Sequence, residues 1–379
     1  MTAPRPDELR RDFLLDPAVA FLNHGSFGAC PRPVFEGYQA HQRDLEWEPI
    51  DFLDRRLPVL LATARTELAH YLNAPPPDLA FVTNATAGVN VAARSLDLRP
   101  GDEILTTDLE YGACDLAWEW LCRRSGTAYV RAPIPLPLAS AGQLVEALFA
   151  YATERTRVVY VSHITSSTAL VLPVEEIVSR ARELGLVTIV DGAHAPAYVP
   201  VGVEALGADF YSGNAHKWLL APKGAGFLHA RSEHQERVDA AIVGWGYAEG
   251  TTFQERIERQ GTRDPAAWLA VPDAIRYLAE RDWDAVRERC RALTREARGE
   301  LCDLLGTQPL APEEMLGQMA SVRLPRPDPG LGDRLFANHR VEIPVAGPNH
   351  DLLRLSVAAY TTRDDVDRLL AALARELDA

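Results

Sequence analysis

Short apolar runs alternate with segments of helical periodicity over the first two thirds of the chain. Apolar residues recur at helical spacing from Leu57 to Tyr71, and Pro58 suits the first turn of a helix. The strands predicted after it are residues 79–83, 103–107, 128–131, 157–162 and 186–190, and the helices between them are 115–123, 143–153 and 173–184. Continuously apolar strands separated by helices indicate a mainly parallel sheet covered on both faces.

The pattern changes after about residue 263. Long helices are predicted at 265–280 and 283–305, followed by strands at 318–324, 341–345 and 352–358 and helices at 332–339 and 363–377. The sequence therefore predicts an α/β fold in three parts. These are a polar lead-in (1–20), a large domain (21–265), and connecting helices with a small C-terminal α+β domain (266–379). Packing of the N-terminal segment on the small domain is compatible with this division.

Composition and charge narrow the classes of function. The chain has 379 residues, 47% hydrophobic and 24% charged, which is typical of a globular protein. Its net charge of −14 repels phosphate backbones and anionic lipids, so neither nucleic acid nor membrane is an expected partner. Five cysteines without C-x-x-C spacing favour reduced thiols in a cytoplasmic enzyme and give no metal cluster. The first residues lack the apolar core of a signal peptide.

Polar residues follow the ends of several predicted strands. They are Glu110-Tyr111, Ser162-His163, Asp191 with His194, and Asn214 to Lys217. In an open parallel sheet, ligands bind beyond the carboxyl ends of the strands. We therefore expect these side chains to share one site.

Lys217 is the first candidate for the chemistry of that site. It lies between small residues and Trp218, a setting that predicts a partly desolvated amine of lowered pKa. On those residues alone, a lysine whose stem is buried and whose amine reaches water is the simpler interpretation. Asp191 changes the balance, because a carboxylate at a buried strand end needs a partner and a protonated pyridine nitrogen would provide one. Asp191 followed by Lys217 is the arrangement expected for pyridoxal phosphate.

Two loops add candidate contacts. The strand at 79–83 runs into Asn84-Ala-Thr86-Ala-Gly-Val-Asn90, which predicts a helix N-terminus whose free N–H groups attract an anion. An ordinary N-cap explains the same residues. The small-residue loop at 23–28 either approaches a ligand or forms a plain turn.

Together these segments resemble the class V aminotransferase-fold enzymes of fold type I, from Asn23 to about Thr362, and most of all the isopenicillin N epimerase group. Several blocks in the same order carry the resemblance. They are N-H-G-S-F-G at 23–28, A-T-A-G-V-N at 85–90, L-E-Y-G-A at 109–113, S-H-I-T-S at 162–166, V-D-G-A-H-A-P at 190–196, D-F-Y-S-G-N-A-H-K-W at 209–218, G-T-R-D at 261–264 and L-R-L-S at 353–356.

The resemblance implies roles at the matching positions. Lys217 would attach the cofactor and move the α-proton, Asp191 would pair with the pyridine nitrogen, and His194 would reach the ring hydroxyl. Tyr111 would stack on the ring where many relatives have a histidine. The phosphate would be held by Ala85, Thr86, Asn214 and His216, with Thr262 completing the site of a neighbouring subunit in a homodimer. Substrate contacts would come from Asn23, His24 and Arg354, with Arg354 on the carboxylate. His163 would either touch the cofactor or be a satisfied buried histidine.

The expected reaction begins with removal of the α-proton of an amino acid. The resemblance favours an epimerase or racemase; a Cβ–S lyase acting on cysteine or its conjugates, and an aminotransferase, are alternatives. An epimerase needs a second acid, for which His24, Tyr111 and His163 are candidates. No cysteine lies between Val341 and Arg354, which disfavours a cysteine desulfurase. A nicotinamide enzyme is disfavoured because no G-x-G-x-x-G follows the first strand, and a non-catalytic binding protein fits poorly with Lys217, Asp191 and Arg354 together.

Overall fold

The computed structural model describes residues 4–378, so residues 1–3 of the predicted lead-in and Ala379 lie outside it. The strands are β1 (Ala20–Phe21), β2 (Leu79–Val82), β3 (Glu103–Thr107), β4 (Ala128–Ala132), β5 (Thr156–Ser162), β6 (Val187–Gly192), β7 (Phe210–Asn214), β8 (Gly226–Ala230), β9 (Met319–Arg323), β10 (Val341–Glu342), β11 (Val345–Ala346) and β12 (Leu352–Ser356).

The helices are α1 (Pro6–Arg10), α2 (His24–Phe27), α3 (Arg32–Trp47), α4 (Leu57–Tyr71), α5 (Ala85–Arg94), α6 (Gly112–Ser125), α7 (Ala141–Phe149), α8 (Val174–Glu183), α9 (Val203–Leu206), α10 (Ser232–Gln235), α11 (Phe253–Glu258), α12 (Ala266–Leu269), α13 (Val271–Ala279), α14 (Trp283–Leu305), α15 (Leu331–His339) and α16 (Arg363–Asp378). A π-helical turn at Asp51–Arg56 leads into α4. Among the described residues, no helix is both long and apolar enough to cross a membrane.

The central sheet has seven strands in the order β2-β8-β7-β6-β5-β3-β4. β8 is antiparallel to both β2 and β7, and the remaining pairs are parallel. The predicted α/β fold with a mainly parallel sheet is therefore confirmed. Consecutive strand residues enter different apolar clusters: Ile104 belongs to one and Leu105 to the other. Burial on both faces explains why these strands have no polar alternation.

The C-terminal part contains a three-stranded antiparallel sheet, β11-β12-β9. The N-terminal segment contacts this part of the chain, because β1 and β10 form a separate two-stranded parallel sheet. In addition, Arg10 forms an ion pair with Asp365 on α16 at an N···O distance of 3.0 Å. The predicted polar lead-in also contributes to the core, because Leu9 and Phe13 are buried. The domain boundaries at residues 20 and 265 stay predictions.

Some predicted elements differ from the structure. The helix at 265–280 is two helices, α12 and α13, because Pro272 in the first turn of α13 has no N–H with which to continue the preceding helix. The strand at 341–345 is two pairs of residues separated by Ile343 and Pro344. Helix α3 and strand β8 were not predicted at all.

Candidate active site

A cavity of about 180 Å³ lies where the carboxyl ends of β5, β6 and β7 meet. Eight of the predicted site residues line it: Ala85, Thr86, Tyr111, Asp191, His194, Asn214, His216 and Lys217. Gly28 follows α2 and lies against the backbone of His216 and Lys217. Its φ of 71° suits glycine, and a Cβ there would run into the backbone carbonyl of His216. Helix α2 can thus pack directly against the segment that carries Lys217.

Lys217 points its amine into this cavity. Its Nζ lies 3.2 Å from Nε2 of His194. Burial lowers the pKa of Lys217 to about 8, and the positive charge of Arg354 acts in the same direction, whereas Asp191 opposes it. An amine with such a pKa is partly neutral near pH 7, which is what a nucleophile and base requires.

Asp191 forms part of the cavity wall at the end of β6. Its Oδ1 accepts a hydrogen bond from the backbone N–H of Ala193 at 2.9 Å, and its Oδ2 accepts from Tyr160 at 3.4 Å and from the thiol of Cys114 at 3.6 Å. Burial raises the pKa of Asp191, while these hydrogen bonds and the charge of Lys217 oppose the rise. Burial makes the negative charge of this carboxylate costly. A cationic ring nitrogen beside Asp191 would stabilise that charge.

The N-terminus of α5 forms the opposite end of the cavity. Asn84 caps the helix by accepting from the N–H of Ala87 at 2.9 Å, as an ordinary N-cap does. The N–H of Ala85 donates to Oδ1 of Asn214 at 2.8 Å. Asn214 therefore ties β7 to α5, and the side chain of Thr86 also faces the cavity. A ten-residue helix beginning here is suited to a phosphate.

His216 has a defined proton position. Its Nδ1 lies 2.9 Å from the carbonyl oxygen of Ala225, and a carbonyl can only accept, so Nδ1 carries a hydrogen. Burial lowers the pKa of His216 to about 4. The neutral ring therefore has a bare Nε2, and it could donate a hydrogen bond to a phosphate only after taking up a proton.

Arg354 lies behind the cavity wall on β12 and is 5% exposed. Its guanidinium donates to the carbonyl of Ser166 and to the hydroxyl of Ser26, both at 2.8 Å. Its Nε has no partner among the described residues. Burial lowers the pKa of Arg354 to about 10. A buried guanidinium without a carboxylate partner is poorly satisfied, and an incoming carboxylate would complete it.

The structure does not bring every predicted residue to the cavity. Asn23 donates to Glu342 at 2.9 Å and accepts from Ser26 at 2.5 Å, so it supports a wall residue instead of forming the wall. His24 is fully buried, with its ring bonded to Tyr360 and to the carbonyl of Lys217. Neither Asn23 nor His24 lines the cavity, and their contact with the substrate stays a prediction.

Two further predicted residues also lie outside the cavity lining. Nδ1 of His163 is 2.9 Å from the hydroxyl of Tyr211, which favours the interpretation of a satisfied histidine. Thr262 is exposed in the single chain, and its role in a neighbouring subunit stays a prediction.

Several residues that form this site had no role assigned from the sequence, although Glu110 and Ser162 were expected to share it. Ser26, Phe27, Ser162 and Ser166 line the cavity, and Ser26 and Ser166 hold Arg354. Their presence inside the quoted motifs was the available signal. Glu110 is bonded to one of these residues. Its carboxyl group accepts hydrogen bonds from the backbone N–H of Ser162 at 2.8 Å, the Ser162 hydroxyl at 2.5 Å and the Thr107 hydroxyl at 2.7 Å. Burial raises the pKa of Glu110 to about 8.

A family model for aminotransferase class-V matches residues 53–369. The chain belongs to this family. Isopenicillin N epimerase from Amycolatopsis lactamdurans is 41% identical over 385 residues, which cover 96% of each chain. Putative L-cysteine desulfhydrase 1 from Oryza sativa subsp. japonica is 32% identical over 327 residues, or 81% of this chain and 67% of that protein.

Solved structures agree on the fold. The cysteine desulfurase CsdA from Escherichia coli superimposes with a TM-score of 0.84 at 25% identity and covers 100% of this chain and 99% of its own. The cystine C–S lyase C-DES gives a TM-score of 0.81 at 23% identity, with 94% and 98% covered. The fold is that of fold type I enzymes, and the cofactor is pyridoxal phosphate. The residues present fit it: a low-pKa lysine, a buried aspartate and a helix N-terminus surround one cavity.

Proposed function

We propose that the protein is an amino-acid epimerase. Lys217 removes the α-proton of the substrate, and a second acid returns a proton to the opposite face of the α-carbon. The arrangement that carries this proposal is the amine of Lys217 in a cavity whose wall hides the unpaired cation of Arg354. The 41% identity to an isopenicillin N epimerase over nearly the whole chain supports the choice of reaction.

The chain's own groups divide the work between binding and proton transfer. Arg354 binds the substrate carboxylate, assisted by the hydroxyls of Ser26 and Ser166 that already contact its guanidinium. The neutral amine of Lys217 accepts the α-proton at Nζ. When bound, pyridoxal phosphate supplies the electron-accepting ring that makes this proton acidic, and Asp191 would hold its ring nitrogen. The N-terminus of α5 would hold the phosphate.

We assign the role of second acid to Tyr111. Of the three candidates from the sequence, only Tyr111 lines the cavity. It occupies the N-cap position of α6 and is 45% exposed, so its hydroxyl has access to both the cavity and water. His24 and His163 have protein partners and lie outside the lining.

Deuterium incorporation tests the proposal. The purified protein, loaded with pyridoxal phosphate, is incubated with a panel of L- and D-amino acids in heavy water. An epimerase places deuterium at the α-carbon of both enantiomers. Lys217→Ala should lose exchange altogether. Tyr111→Phe should keep exchange at the original configuration but lose inversion by about 10²-fold or more. Exchange without inversion by the wild type on every amino acid tested would refute the proposed reaction.

A Cβ–S lyase is the second candidate. It needs Lys217 and a leaving group on the β-carbon but no acid on the opposite face. The observation in its favour is that two of the three candidate acids, His24 and His163, do not line the cavity. The likeness to a putative L-cysteine desulfhydrase is consistent with it. Release of pyruvate and sulfide from L-cysteine would identify this activity.

We also propose that sulfur transfer through a protein persulfide is not the reaction. All five cysteines are free, and none lines the cavity. Cys114, the thiol beside Asp191, is buried, and burial raises its pKa, which makes it a poor nucleophile. A homodimer in which Thr262 reaches the neighbouring site, and a cytoplasmic location, stay predictions.

A further inference from the structure

Trp218 directly follows Lys217, and its indole ring is held from two sides. The residue is 3% exposed. The ring of His24 lies 4.7 Å from it, and the ring of Tyr198 meets it edge-on at 4.8 Å, both measured between ring centroids. Packing on both sides leaves the indole little freedom to rotate. The direction of its N–H is therefore fixed by the fold.

That N–H points at a ring nitrogen of His194. Nε1 of Trp218 lies 3.3 Å from Nδ1 of His194. An indole nitrogen can only donate, so Nδ1 must offer a lone pair and cannot carry a hydrogen. A neutral imidazole has one N–H, and the hydrogen of His194 must then be on Nε2. The same contact excludes the doubly protonated ring.

The proton on Nε2 has a consequence for Lys217. Nε2 lies 3.2 Å from Nζ of Lys217. An N–H can donate to this amine only when the amine is neutral and has a lone pair. If Lys217 were an ammonium group, its N–H and the Nε2–H of His194 would both be donors, and no hydrogen bond could form between them. Neither ring nitrogen of His194 has another hydrogen-bond partner among the described residues.

We propose that Trp218 is a positioning residue that fixes His194 as its Nε2–H tautomer, so that His194 donates towards Lys217 and stabilises the neutral amine. With pyridoxal phosphate bound, the same N–H is available to the ring oxygen of the cofactor, a clause that rests on the proposed function. The other ionisable groups that face this pair are His24 from α2, Cys114 from α6, Asp191 from β6, His216 beside Lys217, and Arg354 from β12.

The tautomer can be measured directly in the full-length protein. Histidine is labelled with ¹⁵N, and the ring nitrogens are observed at pH 7.5 before and after loading with pyridoxal phosphate, with His194→Gln used to assign the signals. We expect Nε2 of His194 to be protonated and Nδ1 to be bare in the wild type. Trp218→Phe keeps an aromatic ring but removes the only donor to Nδ1 within residues 4–378, so the Nδ1–H tautomer should appear.

A matched control and a second readout separate this role from simple packing. Trp268→Phe also removes a buried indole N–H, one that donates to the carbonyls of Val82 and Gly224, and should leave the His194 tautomer unchanged. The pH midpoint for attachment of pyridoxal phosphate to Lys217 should rise by about 0.5 to 1 in Trp218→Phe, because the protonated amine then meets an acceptor. Trp268→Phe should leave that midpoint unchanged.

Two results would overturn the inference. The first is a proton on Nδ1 of His194 in the wild type, a measurement that needs no variant to fold. The second is an unchanged Nε2–H tautomer in a folded Trp218→Phe protein. Neither depends on which reaction the enzyme catalyses, so failure here is distinct from failure of the proposed epimerase activity.

Discussion

Replacing Arg354 by methionine should maintain or raise stability while impairing function, because this arginine is buried without a carboxylate partner. Its pKa falls from the ordinary value to about 10, which corresponds to about 3 kcal/mol against the charged form in the fold. At pH 7 the side chain is charged in both folded and unfolded chains. This cost is therefore present in full and is relieved only above about pH 10.

The gain is partly offset. Methionine has a similar length but leaves the carbonyl of Ser166 and the hydroxyl of Ser26 without their guanidinium donor, at about 1–3 kcal/mol. We therefore expect the cofactor-free Arg354→Met protein to unfold at the same temperature as the wild type or a few degrees higher. Thermal unfolding of both proteins at pH 7, followed by circular dichroism, measures this.

Arg65→Met is the matched control. Arg65 is also a largely buried arginine, but it binds both carboxylate oxygens of Glu258 at 2.7 and 2.8 Å. Its loss strands a buried carboxylate that keeps only the N–H of Phe81, at 2.9 Å. The expected destabilisation is about 3–5 kcal/mol. Both substitutions replace a buried arginine by methionine. Arg65→Met should lower the unfolding temperature, whereas Arg354→Met should not.

Binding of substrate should respond in the opposite sense to stability. Arg354→Met should raise KM for an amino acid by about 30-fold or more, since a charge-assisted bidentate contact is lost. It should also abolish the preference for the amino acid over its carboxamide, which has no carboxylate. If Arg354→Met is as destabilising as Arg65→Met and leaves KM unchanged, Arg354 is a structural residue and the reasoning is wrong.

Two further predictions concern protons. Because His216 donates its Nδ1–H to the carbonyl of Ala225 and burial lowers its pKa to about 4, cofactor phosphate should bind with uptake of a proton. The His216→Gln protein should not show this uptake. Calorimetry in buffers of different ionisation enthalpy at pH 7.5 measures the difference, and equal uptake in both proteins would contradict it. Glu110 has a pKa raised from 4.5 to about 8 by burial, so its contribution to stability is lost as pH rises from about 4.5 to 8. Glu110→Gln should therefore gain up to about 4 kcal/mol relative to wild type between pH 5 and pH 9 in urea unfolding, and parallel curves would argue against it.

The central sheet could be predicted because its strands are apolar on both faces. Runs such as the one ending at Ser162 allow little but a buried strand. β8 was missed because it includes His229, whose burial depends on its neighbours β2 and β7. α3 was missed although it is amphipathic, and Val34 is its only buried residue, so few of its positions had to be apolar.

Within the site, the residues predicted best are those next to strand ends. Lys217, Asp191 and His194 reach one cavity because parallel strands place their carboxyl ends side by side. The surroundings of Arg354 were not predictable in this way. Its partners Ser26 and Ser166 are 328 and 188 residues away along the chain, and only tertiary packing shows that the three residues meet. The same packing buries His24, which sequence reasoning had placed with the substrate.

The segment from Ala20 to Gly28 connects the C-terminal part of the chain to Lys217. It begins as a strand on β10, places His24 under the carbonyl of Lys217, and supplies the Ser26 hydroxyl to Arg354. A Ser26→Ala variant would retain the buried residues of this segment and every residue expected to hold the cofactor. It should therefore still take on the yellow colour of bound pyridoxal phosphate, yet it would have lost a hydrogen-bond partner of Arg354, the residue proposed to bind the carboxylate. For protein engineers, colour would then be a misleading sign of a working enzyme.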